Sequence, residues 1–147
     1  MNGGLKLWKR MFQFSLIGIS TGLYVKENAF TIYLTRGSSM EPTIPDGGIC
    51  LVSRFNLDKL QLKDIIVAYS PVHEQRIMIC KRIKALEGYN IVVDNQFKNI
   101  PRGHLYLEGD NQQHSTDSRF FGPIPSNLVR GKVVAVLYPF NRFRIFS

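Results

Sequence analysis

Three stretches of this 147-residue chain hold side chains whose types and spacing could do chemistry. The first is Arg36-Gly37-Ser38-Ser39-Met40-Glu41-Pro42-Thr43. A serine in a Gly-containing turn exposes both a hydroxyl and backbone N–H groups, which a nucleophile and an oxyanion hole require. The same residues also serve as ordinary turn chemistry, so two readings stand for this stretch alone.

The second stretch runs over residues 77–86. Read with a period of two, one face carries Ile77, Ile79, Lys81, Ile83 and Ala85, and the other carries Met78, Cys80, Arg82, Lys84 and Leu86. Lys81 is the one charge on an aliphatic face. Burial disfavours its ammonium form and can carry a lysine pKa down to about 5–6, which makes it a general base. The competing reading is an edge-strand lysine that snorkels to water. Arg82 and Lys84, on the opposite face, are expected to reach solvent together. The third stretch, residues 108–123, is dense in Asn, Asp, Ser and Arg. Asp117 and Arg119 are close enough to brace it as an ion pair, and Ser115 can donate to or accept from a nearby amine. It reads either as a polar surface loop or as support for a site.

The elements that must position these groups read as β structure. Runs over 49–55, 64–69, 77–86, 90–93, 104–108 and 132–138 have strand character, and turn signals separate them. Residues 125–130 could hold one helical turn. The expected fold is mostly β, with Greek-key or barrel-like closure. Two cysteines make no disulfide scaffold, and no CxxC or HxxxH spacing suggests a metal. No Gly-rich phosphate loop or βαβ alternation suggests a nucleotide cofactor. The net charge of +8 raises nucleic acid as a partner, but no run of five basic residues supports it.

Five basic side chains and one acidic one fall in the first 37 residues, ahead of and around a charge-free apolar run over 11–25. As a helix this run spans about 22 Å, short of a hydrocarbon core of about 30 Å unless it extends toward residue 34. A cleaved signal peptide, a buried amphipathic helix and a membrane anchor with its basic end on the non-translocated side are the three readings.

Taken together, the three stretches resemble the type I signal peptidases, a family of membrane-bound Ser/Lys endopeptidases. The residues that carry the resemblance are Ser39-Met40-Glu41-Pro42-Thr43, Lys81-Arg82-Ile83, Gly109-Asp110-Asn111, Ser115-Thr116-Asp117-Ser118-Arg119 and Gly122-Pro123. Lys63-Asp64-Ile65-Ile66-Val67 resembles a weaker box of that family, and the likeness covers about residues 36–136. The short length, the Cys80-Lys81-Arg82 context and the 107–124 loop are most similar to the mitochondrial inner membrane protease branch, nearer its subunit 1 type than its subunit 2 type.

The resemblance implies an antiparallel β domain, residues 36–147, on one N-terminal membrane helix within residues 1–35. It implies Ser39 as nucleophile, Lys81 as general base, Ser115 as the hydroxyl that orients the amine, and Asp117 with Arg119 as a bracing pair. Ser39 and Ser38 are the candidate oxyanion donors through the backbone. Gly37 stands where some members add a hydroxyl, and Tyr89 where many have Asp. No metal or cofactor is implied. The implied partners are precursor proteins, a membrane and a second related subunit. The implied location is the mitochondrial inner membrane with the catalytic domain in the intermembrane space, or, as the bacterial-type alternative, a plasma membrane. Two rival classes are a self-cleaving repressor-like Ser/Lys protease, for which residues 1–36 offer no DNA-binding helix-turn-helix, and a non-enzymatic membrane-anchored basic protein.

Overall fold

The computed structural model describes residues 29–72, 77–93 and 96–146. Its strands are β1 (Phe30–Leu34), β2 (Ile49–Ser53), β3 (Ile65–Tyr69), β4 (Met78–Ala85), β5 (Asn90–Val93), β6 (Gln96–Asn99), β7 (His104–Glu108), β8 (Ile124–Pro125), β9 (Val129–Tyr138) and β10 (Arg144–Ile145). One short helix, α1 (Ser118–Phe121), follows β7. The main sheet is antiparallel in the order β1-β2-β9-β3-β4-β7-β8, with β10 beside β9, and β5 with β6 forms a separate hairpin. The expected mostly β class holds. The pairing order is open, however, and among the described residues no ladder joins β1 to β8, so the sheet curls without closing.

Strand β3 sits at the centre because its five residues, Ile65 to Tyr69, are apolar on both faces. Ile65 and Val67 enter one core with Met40, Ile44, Val52 and Val133. Ile66 and Ala68 enter the other with Ile83, Leu105, Leu107 and Ile124. The period of two thus divides one continuous apolar run between two cores. On β9, Gly131 admits a close approach by β2, since a Cβ there would meet the side chain of Val52 and stand 2.8 Å from the Ser53 carbonyl oxygen.

Several element boundaries differ from expectation. Only Ser126–Leu128 make the expected turn within 125–130. Val129 instead pairs with Ala68 and is buried, which starts β9 three residues before position 132. Asp64 lies outside β3, where it accepts a hydrogen bond from the Gln61 N–H at 2.9 Å and pairs with Lys132 at 2.8 Å. Strand β1 was not expected. Thr31 and Tyr33 face inward while Phe30, Ile32 and Leu34 alternate with them, and the whole strand pairs with β2. The folded sheet therefore begins before position 36, and residues 30–34 belong to it rather than to an anchor. Residues 1–28 of the expected N-terminal segment and anchor lie outside the described residues. Among the described residues no helix is long and apolar enough to cross a membrane.

Candidate active site

Ser39 lies on the loop between β1 and β2, and backbone and side-chain contacts hold that loop at several points. Thr35 Oγ1 donates to the carbonyls of Pro45 and Gly48 at 3.0 and 2.9 Å, and the Gly37 N–H donates to Asp46 Oδ1 at 2.7 Å. Gly37 itself has φ of +89°, a conformation that glycine adopts without a Cβ penalty. Met40 is buried in the first core, and the Ile44 N–H donates to its carbonyl at 2.9 Å. Burying a methionine side chain contributes about 1.5–3 kcal/mol, and here it pins the residue next to Ser39.

Lys81 comes from β4, opposite Ile66 of β3. Its Nζ donates to Ser39 Oγ at 2.7 Å, across 42 positions of sequence. Only 4% of Lys81 is exposed. Burial drives its pKa below the usual 10.5 and outweighs the nearby Asp117 carboxylate, which acts the other way. The desolvation does not come evenly from the aliphatic face read in the sequence. Ile83 and Ala85 are buried, but Ile77 is 43% exposed, so the outer end of that face adds little shielding.

Residues 109–119 close the other side. The Asn111 N–H donates to the Ser39 carbonyl at 3.0 Å. Gly109 is wedged between the Ser39 and Ser115 segments: a Cβ there would lie 2.5 Å from both the Ser39 carbonyl oxygen and Ser115 Cβ. Asp117 is completely buried at the N-cap of α1. Its carboxylate accepts from Arg119 Nε and Nη2 at 2.8 Å each, from Ser115 Oγ at 2.7 Å and from the Gly109 N–H at 2.9 Å. Burial opposes its ionisation, yet these hydrogen bonds hold its pKa below the usual carboxylate value, and the same pairing raises that of Arg119.

The sequence-predicted residues Ser39, Lys81, Ser115, Asp117 and Arg119 therefore converge. Ser115 differs in one detail. Its hydroxyl donates to Asp117, and among the described residues no hydrogen bond joins it to Lys81. Arg82 departs from expectation more fully. Rather than reaching solvent with Lys84, it makes a two-pronged ion pair with Asp110, Nε to Oδ1 at 2.7 Å and Nη2 to Oδ2 at 2.6 Å. This pair fastens the Gly109-Asp110-Asn111 turn to β4 beside Lys81. Arg82 and Asp110 were legible as residues of two separate motif stretches, but nothing in the spacing paired them.

The Ser39 N–H makes no hydrogen bond among the described residues, which leaves one donor free beside the hydroxyl. A cleft of about 170 Å³ opens onto Ser39 and Lys81, with walls that include Tyr33, Ile44, Val67 and Cys80. Burial pushes the Cys80 thiol up to about 12, with the neighbouring Cys50 thiol adding to the shift, so the sulfur beside the amine stays protonated. A hydroxyl in contact with a desolvated amine, next to a free N–H and an apolar cleft, can attack an extended peptide carbonyl.

Comparison with known proteins places the chain among signal peptidases and inner membrane protease subunits. A family model described as "Signal peptidase, peptidase S26" matches residues 8–97 and 93–138, which include Ser39, Lys81 and the 109–119 loop. Mitochondrial inner membrane protease subunit 1 of Mus musculus is 41% identical over 122 residues, covering 76% of this chain and 72% of the relative. The Homo sapiens subunit 1 is 40% identical over the same shares of each chain. Mitochondrial inner membrane protease subunit 2 of Saccharomyces cerevisiae is 35% identical over 153 residues, covering 92% of this chain and 85% of the relative.

Proposed function

This chain belongs to the signal peptidase family, peptidase S26, and on that premise we propose that it is a membrane-bound serine endopeptidase of the mitochondrial inner membrane. It removes sorting and signal peptides from proteins delivered to the intermembrane space. Ser39 is its nucleophile and Lys81 its general base. The observation that carries this reading is the 2.7 Å contact between Lys81 Nζ and Ser39 Oγ. Among the described residues, no other pair of groups near the cleft combines a hydroxyl with an amine whose burial favours the neutral form.

The mechanism follows from that contact. Neutral Lys81 accepts the Ser39 hydroxyl proton as Oγ bonds to the scissile carbonyl carbon. The Ser39 N–H stabilises the resulting oxyanion. The ammonium then returns its proton to the leaving amine as the C–N bond breaks, giving the acyl-enzyme. Neutral Lys81 next takes a proton from water as the water oxygen bonds to the acyl carbon, and the ammonium returns that proton to Ser39 Oγ as the ester C–O bond breaks, which releases the acid and restores the starting dyad. Asp117 and Arg119 are positioning residues, because they hold the Ser115 and Gly109 segment against the Ser39 loop.

The names of the relatives, subunit 1 and subunit 2, support assembly with a second related subunit. The anchor falls upstream of Phe30, with the basic N-terminus in the matrix and the sheet in the intermembrane space. In mitochondria that depend on this protein, Ser39→Ala is expected to leave precursors unprocessed while the protein accumulates at its normal level. Continued processing by the folded Ser39→Ala protein would sink the nucleophile assignment. Release of the full-length chain by alkaline carbonate would sink the anchor.

A further inference from the structure

On the edge of β9 away from β2, two strands share the space. β3 pairs with residues from Val129 to Lys132, and β10 pairs with Ala135 and Val136. Between them opens a cavity of about 210 Å³, lined by Lys63, Asp64, Arg82, Lys132, Arg144 and Phe146. Four cations therefore surround one carboxylate. Lys132 is paired with Asp64, and Arg82 with Asp110. Among the described residues, Lys63 and Arg144 have no carboxylate partner. The Arg144 guanidinium lies over the Phe146 ring, 5.4 Å from its centroid, which presents it to the cavity. Lys63 has φ of +74°, a conformation costly for a residue with a Cβ, and its N–H is tied to the Ile83 carbonyl at 2.9 Å. The chain thus places a lysine where glycine would be easier, and does so at the mouth of a basic cavity.

We propose that this cavity binds the phosphate of an anionic phospholipid headgroup, with Lys63 and Arg144 as its ligands. Charge complementarity calls for a phosphate. The surface beside it selects a lipid as the carrier. Ile145 stands next to Arg144 and is 70% exposed, and the exposed rings of Phe143 and Phe140 continue from it along the C-terminal segment. A headgroup in the cavity would lay its acyl chains along this apolar strip, whereas a free phosphate would leave the strip in water. The site is separate from the Ser39 cleft and does not depend on the peptidase reading.

The test uses the full-length Ser39→Ala protein, so that its outcome is independent of turnover. It is placed in nanodiscs of phosphatidylcholine alone or mixed with phosphatidylglycerol, and amide hydrogen exchange is followed over residues 62–65 and 143–146. Exchange there is expected to slow about 30-fold in the anionic discs, the effect of two basic side chains engaging anionic lipid. Adding Lys63→Gln and Arg144→Gln should abolish the difference, and Lys63→Arg with Arg144→Lys should keep it. Equal exchange in the two discs would overturn the proposal. So would the same protection from inorganic phosphate added to phosphatidylcholine discs, because that would make the site one for a soluble anion. Both comparisons are made on the parent protein and hold even if the glutamine variant does not fold.

Discussion

Lys81 Nζ touches Ser39 Oγ at 2.7 Å while Lys81 itself is almost wholly buried. A serine hydroxyl and a lysine amine so placed can exchange a proton directly, provided the amine is neutral when it begins. Burial supplies that condition by disfavouring the ammonium form.

Peptidase activity is therefore expected to rise with pH as Lys81 deprotonates, with a midpoint below 10.5. Lys81→Met, which keeps the volume, should lower kcat by roughly 10²–10⁴-fold, and Lys81→Arg should be as inactive because arginine does not deprotonate. A pH–rate profile of purified enzyme on a model precursor checks both. An active Lys81→Met enzyme would remove the general base.

The same shift fixes the sign of a stability effect. Between the folded and unfolded pKa values of Lys81 the unfolded state binds more protons, so stability rises with pH through that window. Below the folded pKa the penalty is present in full, and near 10.5 it is gone. Lys81→Met should melt higher than the parent at neutral pH, and the gap should narrow as the pH approaches 10.5. A gap that widens with rising pH would contradict the assignment.

Gly109→Ala is expected to displace the Ser39 loop, because the new Cβ would run into the Ser39 carbonyl and the Ser115 side chain. Misplacing a nucleophile by about 1 Å lowers turnover by about 100-fold. The check is kcat measured alongside thermal unfolding. The expected pattern is a loss of kcat beyond what a destabilisation of about 1–3 kcal/mol explains, and unchanged kcat would mean that the wedge does not position Ser39.

Asp117→Ala should destabilise the fold by about 3 kcal/mol in urea titrations, at the low end for a buried ion pair because Arg119 keeps contact with water. The folded pKa of Asp117 lies below its usual value, so its contribution is present above that usual value and is lost as the pH falls through the folded one. Acid unfolding of Asp117→Ala should accordingly show a weaker pH dependence than that of the parent.

Ser38→Ala separates the two adjacent serines. Only Ser39 Oγ meets Lys81, and the Ser38 carbonyl accepts from the Glu41 N–H at 3.1 Å as part of the turn. Ser38→Ala should keep kcat within about threefold, whereas removing a side-chain oxyanion donor would cost about 10²–10³-fold. A loss of that larger size would make the Ser38 hydroxyl the second oxyanion donor.

The sequence by itself determined what depends on local periodicity and local turn chemistry. The alternation over 77–86 placed Lys81 on the face of Ile83 and Ala85, and both are buried as that reading requires. Asp117 and Arg119, two positions apart, could be read as an ion pair because backbone geometry alone brings them within reach, and the pair forms at 2.8 Å. The order of the motif residues pointed to the signal peptidase family, and the family match bears that out.

Only the tertiary structure decided which distant groups meet. Ser39 reaches Lys81 because the β1–β2 loop folds over β4, which no pattern within either stretch encodes. Arg82 found Asp110 rather than water because the β4–β7 register brings the 109–111 turn alongside it. Ser115 took Asp117 as its acceptor because the buried carboxylate needs several donors and the Gly109 wedge holds that hydroxyl nearby. Strand β1 escaped notice for a similar reason: its apolar face looks like the end of an apolar helix until β2 is there to pair with it. Side-chain periodicity follows from one backbone at a time, whereas partners such as these follow from the register and curl of a sheet that exists only once all its strands have assembled.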